Sequence, residues 1–142
     1  MNTFKPVLTE HIGQPDCHTL SFYKSIGGYT ALEKVLKMNP EDVTQEVKDS
    51  NLRGRGGAGF PTGVKWSFLV GSPGPTKYIL CNCEEGDPGA YNDKGILESD
   101  PHTLLEGLAI AGYATGASNG IVFIRHGHDG PIERTEKAIE QA

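Results

Sequence analysis

Apolar and polar positions follow two periods along the chain, and the changes of period divide it into helices and strands. Residues 19 to 38 show helical spacing through Leu20, Tyr23, Lys24, Ala31, Leu32, Val35 and Leu36; Gly27-Gly28 interrupts it, which predicts two short helices. Asn39 is a good N-cap, Pro40 suits a first helical position, and Glu41 with Asp42 complements a helix dipole, so a helix should run to about Ser50. Residues 77 to 82, Lys-Tyr-Ile-Leu-Cys-Asn, read as a buried strand between turn-rich flanks. Asp100-Pro101 repeats the helix-start signal. Leu104, Leu105, Leu108, Ala109 and Ala111 then form an apolar helix that Gly116 can end. Residues 120 to 125, Gly-Ile-Val-Phe-Ile-Arg, form a second buried strand, and Pro131 opens a helix still running at Ala142.

From residue 77 onward the order is therefore strand, helix, strand, helix. That order is a Rossmann-like βαβα unit, with parallel strands and a right-handed crossover. A parallel sheet is normally covered on both faces, and two strands alone do not make a stable one. The α/β fold expected here is thus N-terminal helices over 1–52, then a glycine-rich loop and the βαβα unit over 53–142, as the first part of a larger domain. The competing reading is that the N-terminal helices complete a small compact domain.

At 142 residues, 37% apolar and 22% charged, the composition is that of one globular α/β domain. A net charge of −5 argues against nucleic acid or an anionic membrane as partner, because such binding depends on many Lys and Arg releasing counterions. No run reaches the roughly 18 to 20 apolar residues of a membrane span, and MNTFKPVLTE lacks the apolar centre of a signal peptide, so a cytoplasmic location is expected. Cys17, Cys81 and Cys83 are too few and too irregularly spaced for a disulfide framework or a zinc site. Cys81 and Cys83 share one face of a strand and could clasp a soft metal, but small buried filler is the better reading.

The 19 glycines change the picture, because they concentrate in residues 54 to 63 and 86 to 130. Gly54, Gly56 and Gly59 match the spacing of a dinucleotide fingerprint, yet a charged helix rather than a strand precedes them. A P-loop is also excluded, since Lys65 sits between Val64 and Trp66. What remains is five glycines in ten residues, whose N–H groups can converge on an anion, beside Arg53, Arg55 and Lys65. A phosphate ligand explains that combination better than a flexible loop stiffened by Phe60, Pro61 and Trp66. A second cluster, Glu84, Glu85 and Asp87, follows the first strand, where α/β sheets place ligands. Such crowded carboxylates call for donors, either ligand hydroxyls or basic side chains; alone, the cluster reads better as a solvated turn.

Together the two clusters point further. R-G-R-G-G-A-G-F-P-T-G-V-K-W over 53–66, a strand ending in Asn82, the turn E-G-D-P-G over 85–89, and D-P-H over 100–102 before an apolar helix are similar to the flavin subunit of respiratory complex I. The resemblance extends to its soluble NAD-linked hydrogenase and formate dehydrogenase relatives, and to Pro6 to Leu8, His18-Thr19 and Gly27-Gly28-Tyr29.

That resemblance implies an FMN-binding domain of an NADH dehydrogenase, in which hydride passes from NADH to FMN and electrons leave singly through iron-sulfur clusters to quinone. It gives Gly54, Arg55, Gly56, Gly57 and Lys65 to the flavin phosphate and its surroundings, Asn82, Glu84 and Glu85 to the flavin, and Phe60, Phe68 and Asp87 to NADH. No residue acts as a proton-transfer catalyst and none ligates a metal. The 4Fe-4S cluster is expected only beyond these residues, the partners being NADH and other iron-sulfur redox subunits, without direct membrane insertion. Such a subunit could sit peripherally on the cytoplasmic side of the membrane through a complex, and this chain alone is expected to be inactive. Cys83, Glu84 and Asp87 stand where complex I usually has alanine, aspartate and glutamate, and aspartate at 87 also occurs in the hydrogenase and formate dehydrogenase relatives. The alternatives are a flavin subunit of one of those soluble enzymes, or a truncated, non-catalytic α/β scaffold.

Overall fold

The computed structural model describes residues 5–142. Residues 1–4, with the part of the signal-peptide reading and of the 1–52 segment that falls on them, lie outside the described residues. The element order is α1 (Leu20–Ser25), α2 (Thr30–Val35), α3 (Pro40–Asp49), α4 (Thr62–Gly71), β1 (Tyr78–Cys83), α5 (Asp93–Ser99), α6 (Pro101–Thr115), β2 (Asn119–Ile124) and α7 (Asp129–Gln141).

Most helix ends follow from local chemistry. The Thr19 hydroxyl accepts the Phe22 N–H at 3.2 Å and starts α1. Asp100 accepts both the Thr103 N–H, at 3.2 Å, and the Thr103 hydroxyl, at 2.6 Å, and so anchors the start of α6. Gly116 ends α6 in the left-handed region at φ +73°, where the Ala117 N–H reaches back to the Gly112 carbonyl at 3.0 Å. Asn39 departs from expectation. It occupies the N-cap of α3, but its amide donates to Asp42 at 3.1 Å instead of capping the backbone. Pro40 lessens the need for a cap, since it has no N–H to satisfy.

Two helices, α4 and α5, lie where the periodicity indicated none. Val64, Trp66, Phe68, Leu69 and Val70 leave α4 without a polar stripe, and α5 has seven residues with Gly95 inside it. The last helix begins at Asp129, two residues before Pro131; its first turn needs no intrahelical N–H, so the proline fits there.

β1 and β2 form a parallel pair, as the βαβ reading requires. Neither strand is buried on both faces, however: Tyr78, Leu80, Ile121 and Phe123 are 55%, 64%, 48% and 54% exposed. The alternate residues Ile79, Cys81, Cys83, Val122 and Ile124 are at least partly covered. A continuous apolar run suits cover on both faces, and among the described residues only one face of this pair has it.

The chain divides into two compact units. The first comprises Met1–Tyr29, Cys81–Glu106 and Val122–Ala142; the second comprises Thr30–Leu80 and Gly107–Ile121. In the first, α5 packs on α7 around Leu97 and Ala138, each 1% exposed, beside the fully buried Pro101 and His102. In the second, Val35, Val43 and Ala114 form a core with Met38, Trp66, Ile110 and Tyr113, and α3 packs on α4. The α3–α4 approach requires Gly63, since a Cβ there would lie 2.6 Å from the Lys48 backbone nitrogen.

Candidate functional site

The glycine loop lies in the second unit and is closed at its base like a hairpin. Gly54 donates to the Phe60 carbonyl and Thr62 to the Leu52 carbonyl, both at 2.9 Å, and Arg53 pairs with Pro61 in an antiparallel bridge. Gly57 and Gly59 have φ of +111° and +61°, conformations that side-chain-bearing residues rarely adopt. The Arg53 guanidinium donates to the Gly59 carbonyl at 3.2 Å, so this arginine staples the loop. Arg55 and Lys65 make no ion pair among the described residues.

That geometry favours an anion. A Cβ placed on Gly56, Gly57 or Gly59 would meet nothing within 4 Å, so the loop backbone is open at these positions. Asn51, Arg53, Gly54, Arg55 and Gly59 border a cavity of about 500 Å3, and none of its lining residues is acidic. The loop runs directly into α4, whose first turn carries no acidic side chain to offset the positive end of its dipole. The loop therefore has room for a phosphate and fixed positive charge beside it. Phe60, just before α4, and Phe68, within it, come together with ring centroids 6.2 Å apart, and both are exposed. Composition identified the loop; α4, which sets its direction, was missed because its apolar residues lack a stripe.

The acidic turn lies in the first unit, and its three carboxylates have separate surroundings. Glu85 is buried and accepts the backbone N–H groups of Asn92, of Asp93 at 3.2 Å and of Lys94 at 3.0 Å, which closes the N-terminus of α5. Burial alone would raise the Glu85 pKa, but these donors outweigh it and hold the carboxyl below its usual range. Asp93 is shifted the other way, first by its own burial and then by the Glu85 charge. Glu84 pairs with Arg125 at 2.7 Å, a residue at the end of β2 that sequence reasoning left out of the site. Asn82 is exposed and its side-chain oxygen accepts the Glu84 N–H at 3.2 Å. Asp87 begins a turn with Pro88 and Gly89, the latter at φ +79°, that returns the Ala90 N–H to the Asp87 carbonyl at 3.1 Å. Its carboxylate is exposed and makes no hydrogen bond among the described residues.

A buried polar cluster in the first unit was also unanticipated. Glu106 accepts the Tyr23 hydroxyl and, at 3.0 Å, the Tyr29 N–H. The Tyr29 hydroxyl meets His102 Nδ1 at 2.9 Å, and His102 Nε2 meets Gln141 at 3.3 Å. Glu106 and His102 lie four apart on α6, so helical spacing places them on one face; their partners, 39 to 83 residues away, leave no local signal.

The sequence profile of the Nuo51 FMN-binding domain matches residues 47–142. An NADH-quinone oxidoreductase subunit of Rhizobium meliloti (strain 1021) is 51% identical over 98% of this chain and 33% of its own length. The corresponding NADH-quinone oxidoreductase subunit of Aquifex aeolicus (strain VF5) is 46% identical over 96% of this chain and 32% of its own. The NADP-reducing hydrogenase subunit HndC of Solidesulfovibrio fructosivorans is 46% identical over 96% and 28%. Among solved structures, an H2-reduced NAD+-reducing NiFe-hydrogenase superposes with a TM-score of 0.75 at 33% identity, over 86% of this chain and 21% of that one. The chain thus spans about a third of the length of the curated relatives it matches.

Proposed function

Because this chain belongs to the family of the Nuo51 FMN-binding domain, we propose that it is the FMN-holding part of an NADH dehydrogenase flavin subunit. The observation that carries the reading is the open, acid-free cavity at the glycine loop, edged by Arg53, Gly54, Arg55 and Gly59. In this reading Gly54, Gly56 and Gly57 offer backbone N–H groups to the flavin phosphate, and Arg55 and Lys65 supply charge. Arg53 acts indirectly by holding the loop closed. Asn82 and Glu84 line the flavin, and Glu85 fixes the turn that presents them. Phe60 and Phe68 offer aromatic faces to NADH, and Asp87 a carboxylate acceptor.

Bound FMN would supply the redox chemistry, accepting hydride from NADH and releasing electrons one at a time. The chain's own contribution is orientation. Electrons would pass to iron-sulfur clusters, including a 4Fe-4S centre beyond residues 1–142, and then to quinone through partner subunits. None of the described helices is long and apolar enough to cross a membrane. By its likeness to subunits of NADH-quinone oxidoreductases, we place the chain peripherally, within a complex on the cytoplasmic side. The 46% identity to a hydrogenase subunit, with aspartate at 87, favours a second reading as the flavin subunit of a soluble NAD-linked enzyme. We assign sustained NADH oxidation to a chain of its relatives' full length rather than to residues 1–142 alone.

Fluorescence titration with FMN tests the reading. Lys65→Ala should weaken binding by about 10- to 150-fold, as expected for loss of a charge-assisted contact of roughly 1.5–3 kcal/mol. Trp66→Phe should leave it nearly unchanged. Equal affinities for the two variants, or no FMN binding by either the chain or the longer protein, would refute the assignment.

A further inference from the structure

We propose that Cys81 and Cys83 form a reversible two-electron redox site that closes into a disulfide across Asn82 on exposure to hydrogen peroxide. The proposal is independent of the flavin reading.

The two residues lie two apart on β1, so their side chains project from one face, and their Sγ atoms are 3.6 Å apart. Two strand steps separate the Cα atoms by about 6.6 Å. That distance lies at the upper limit of about 6.8 Å usual for disulfides, and parallel side chains on one strand face hold their Cβ atoms wider apart than the roughly 3.5–4.5 Å a disulfide spans, so closure requires β1 to bend locally at Asn82. A bridge at this limit stores strain, which places it among disulfides that thiols reduce readily. Among the described residues no group of three His, Cys, Asp or Glu is placed to hold a metal ion.

The two thiols are unequal. Cys81 is partly exposed, whereas Cys83 is 5% exposed. Their mutual hydrogen bond lowers the Cys81 pKa and raises that of Cys83, and burial raises Cys83 further. The accessible sulfur is therefore the better source of thiolate. Cys81 thiolate attacks peroxide, so that an S–O bond forms, the O–O bond breaks and the departing hydroxide takes up a proton as water. The Cys83 sulfur then attacks Cys81, forming the S–S bond as the S–O bond breaks; its proton leaves with the hydroxyl as a second water. Two thiols and one peroxide give one disulfide and two waters.

Cleavage after Lys77 and Lys94 releases residues 78–94, which contain both cysteines, as one tryptic peptide. The reduced chain, freed of reductant, is treated with graded hydrogen peroxide, blocked with N-ethylmaleimide and mapped by mass. The 78–94 peptide should become two hydrogens lighter and unlabelled, and dithiothreitol should restore two labels. Cys17→Ser should leave this unchanged. Cys83→Ser should stop at a single added oxygen on Cys81 that dimedone traps. Persistent labelling of both cysteines, a link from this peptide to Cys17 or to a second chain, or direct passage to sulfinic acid would each overturn the proposal.

Discussion

Replacing Tyr23 by Phe removes one hydroxyl and keeps the ring. The ring packs directly over Gly28, where a Cβ would come within 2.2 Å of it, and has Tyr29 and His102 as aromatic neighbours at 5.2 and 5.7 Å. Phenylalanine preserves those contacts, so the measured change reports the hydrogen bond to Glu106. Tyr23 and Glu106 are 7% exposed each, and the Tyr29 N–H still reaches the same carboxylate oxygen at 3.0 Å. Loss of one bond to a buried charged acceptor costs about 1.5–3 kcal/mol. With an unfolding entropy of about 2.1 cal/mol/K per residue, that corresponds to a drop in Tm of roughly 5–10 °C for this chain. Urea unfolding followed by circular dichroism should show a lower midpoint at unchanged slope. The pH dependence gives a second check. Burial, then the Glu106 hydrogen bond, raise the Tyr23 pKa above its usual value. A raised folded-state value means stability fully present below the unfolded pKa of about 10 and lost as pH rises beyond it. Wild type should therefore lose more stability than Tyr23→Phe above pH 10 or so. A midpoint change equivalent to less than about 0.5 kcal/mol, within the range of ordinary surface substitutions, would refute the reasoning. So would parallel pH profiles.

His102 should respond at the opposite end of the pH scale. Burial holds its pKa below the usual value, so the stability it contributes is complete above about pH 6.5 and declines as pH falls. Wild type should thus weaken more steeply than His102→Gln on acidification, and identical slopes in urea titrations would count against this. Glu85→Ala should strip protection from the Asn92, Asp93 and Lys94 amides, which its carboxylate now holds, while amides in α3 keep theirs. Hydrogen exchange that leaves those three amides unchanged would return Glu85 to a purely surface role.

The features legible in the sequence are those that depend on neighbours a few residues apart. Asp100 and Gly116 mark helix ends through bonds spanning three and five residues, and the loop announced itself through glycine density and local charge. The α4 helix escaped because its apolar residues give no stripe, and α5 because seven residues around a glycine give too short a pattern. The buried cluster of Tyr23, Tyr29, His102 and Glu106 joins residues more than 70 positions apart, and each partner alone looks like an ordinary helix or loop residue. Both strands lie where the pattern put them, but their burial on both faces was misread for a different reason. Continuous apolar runs indicate what a strand can tolerate on both faces, not what covers it, and Leu80 and Phe123 are more than half exposed.

Charge placement explains why the acidic turn can be crowded. Three carboxylates within four residues would repel one another if they shared one environment. Here Glu85 turns inward onto the α5 amides, Glu84 is neutralised by Arg125, and Asp87 alone stays exposed without a partner among the described residues. The glycine loop divides its cations in the same way: Arg53 is used on the Gly59 carbonyl, while Arg55 and Lys65 make no ion pair among the described residues. In each cluster part of the charge builds the scaffold, and under the proposed function the rest is left for a ligand. Sequence alone could count those charges but could not apportion them, since Arg125 is 41 residues from Glu84 and the Arg53 contact depends on how the loop closes. A substitution at Glu85 or Arg53 should therefore act through local folding, whereas under the proposed function a change of charge at Asp87, Arg55 or Lys65 should alter binding and leave the fold intact.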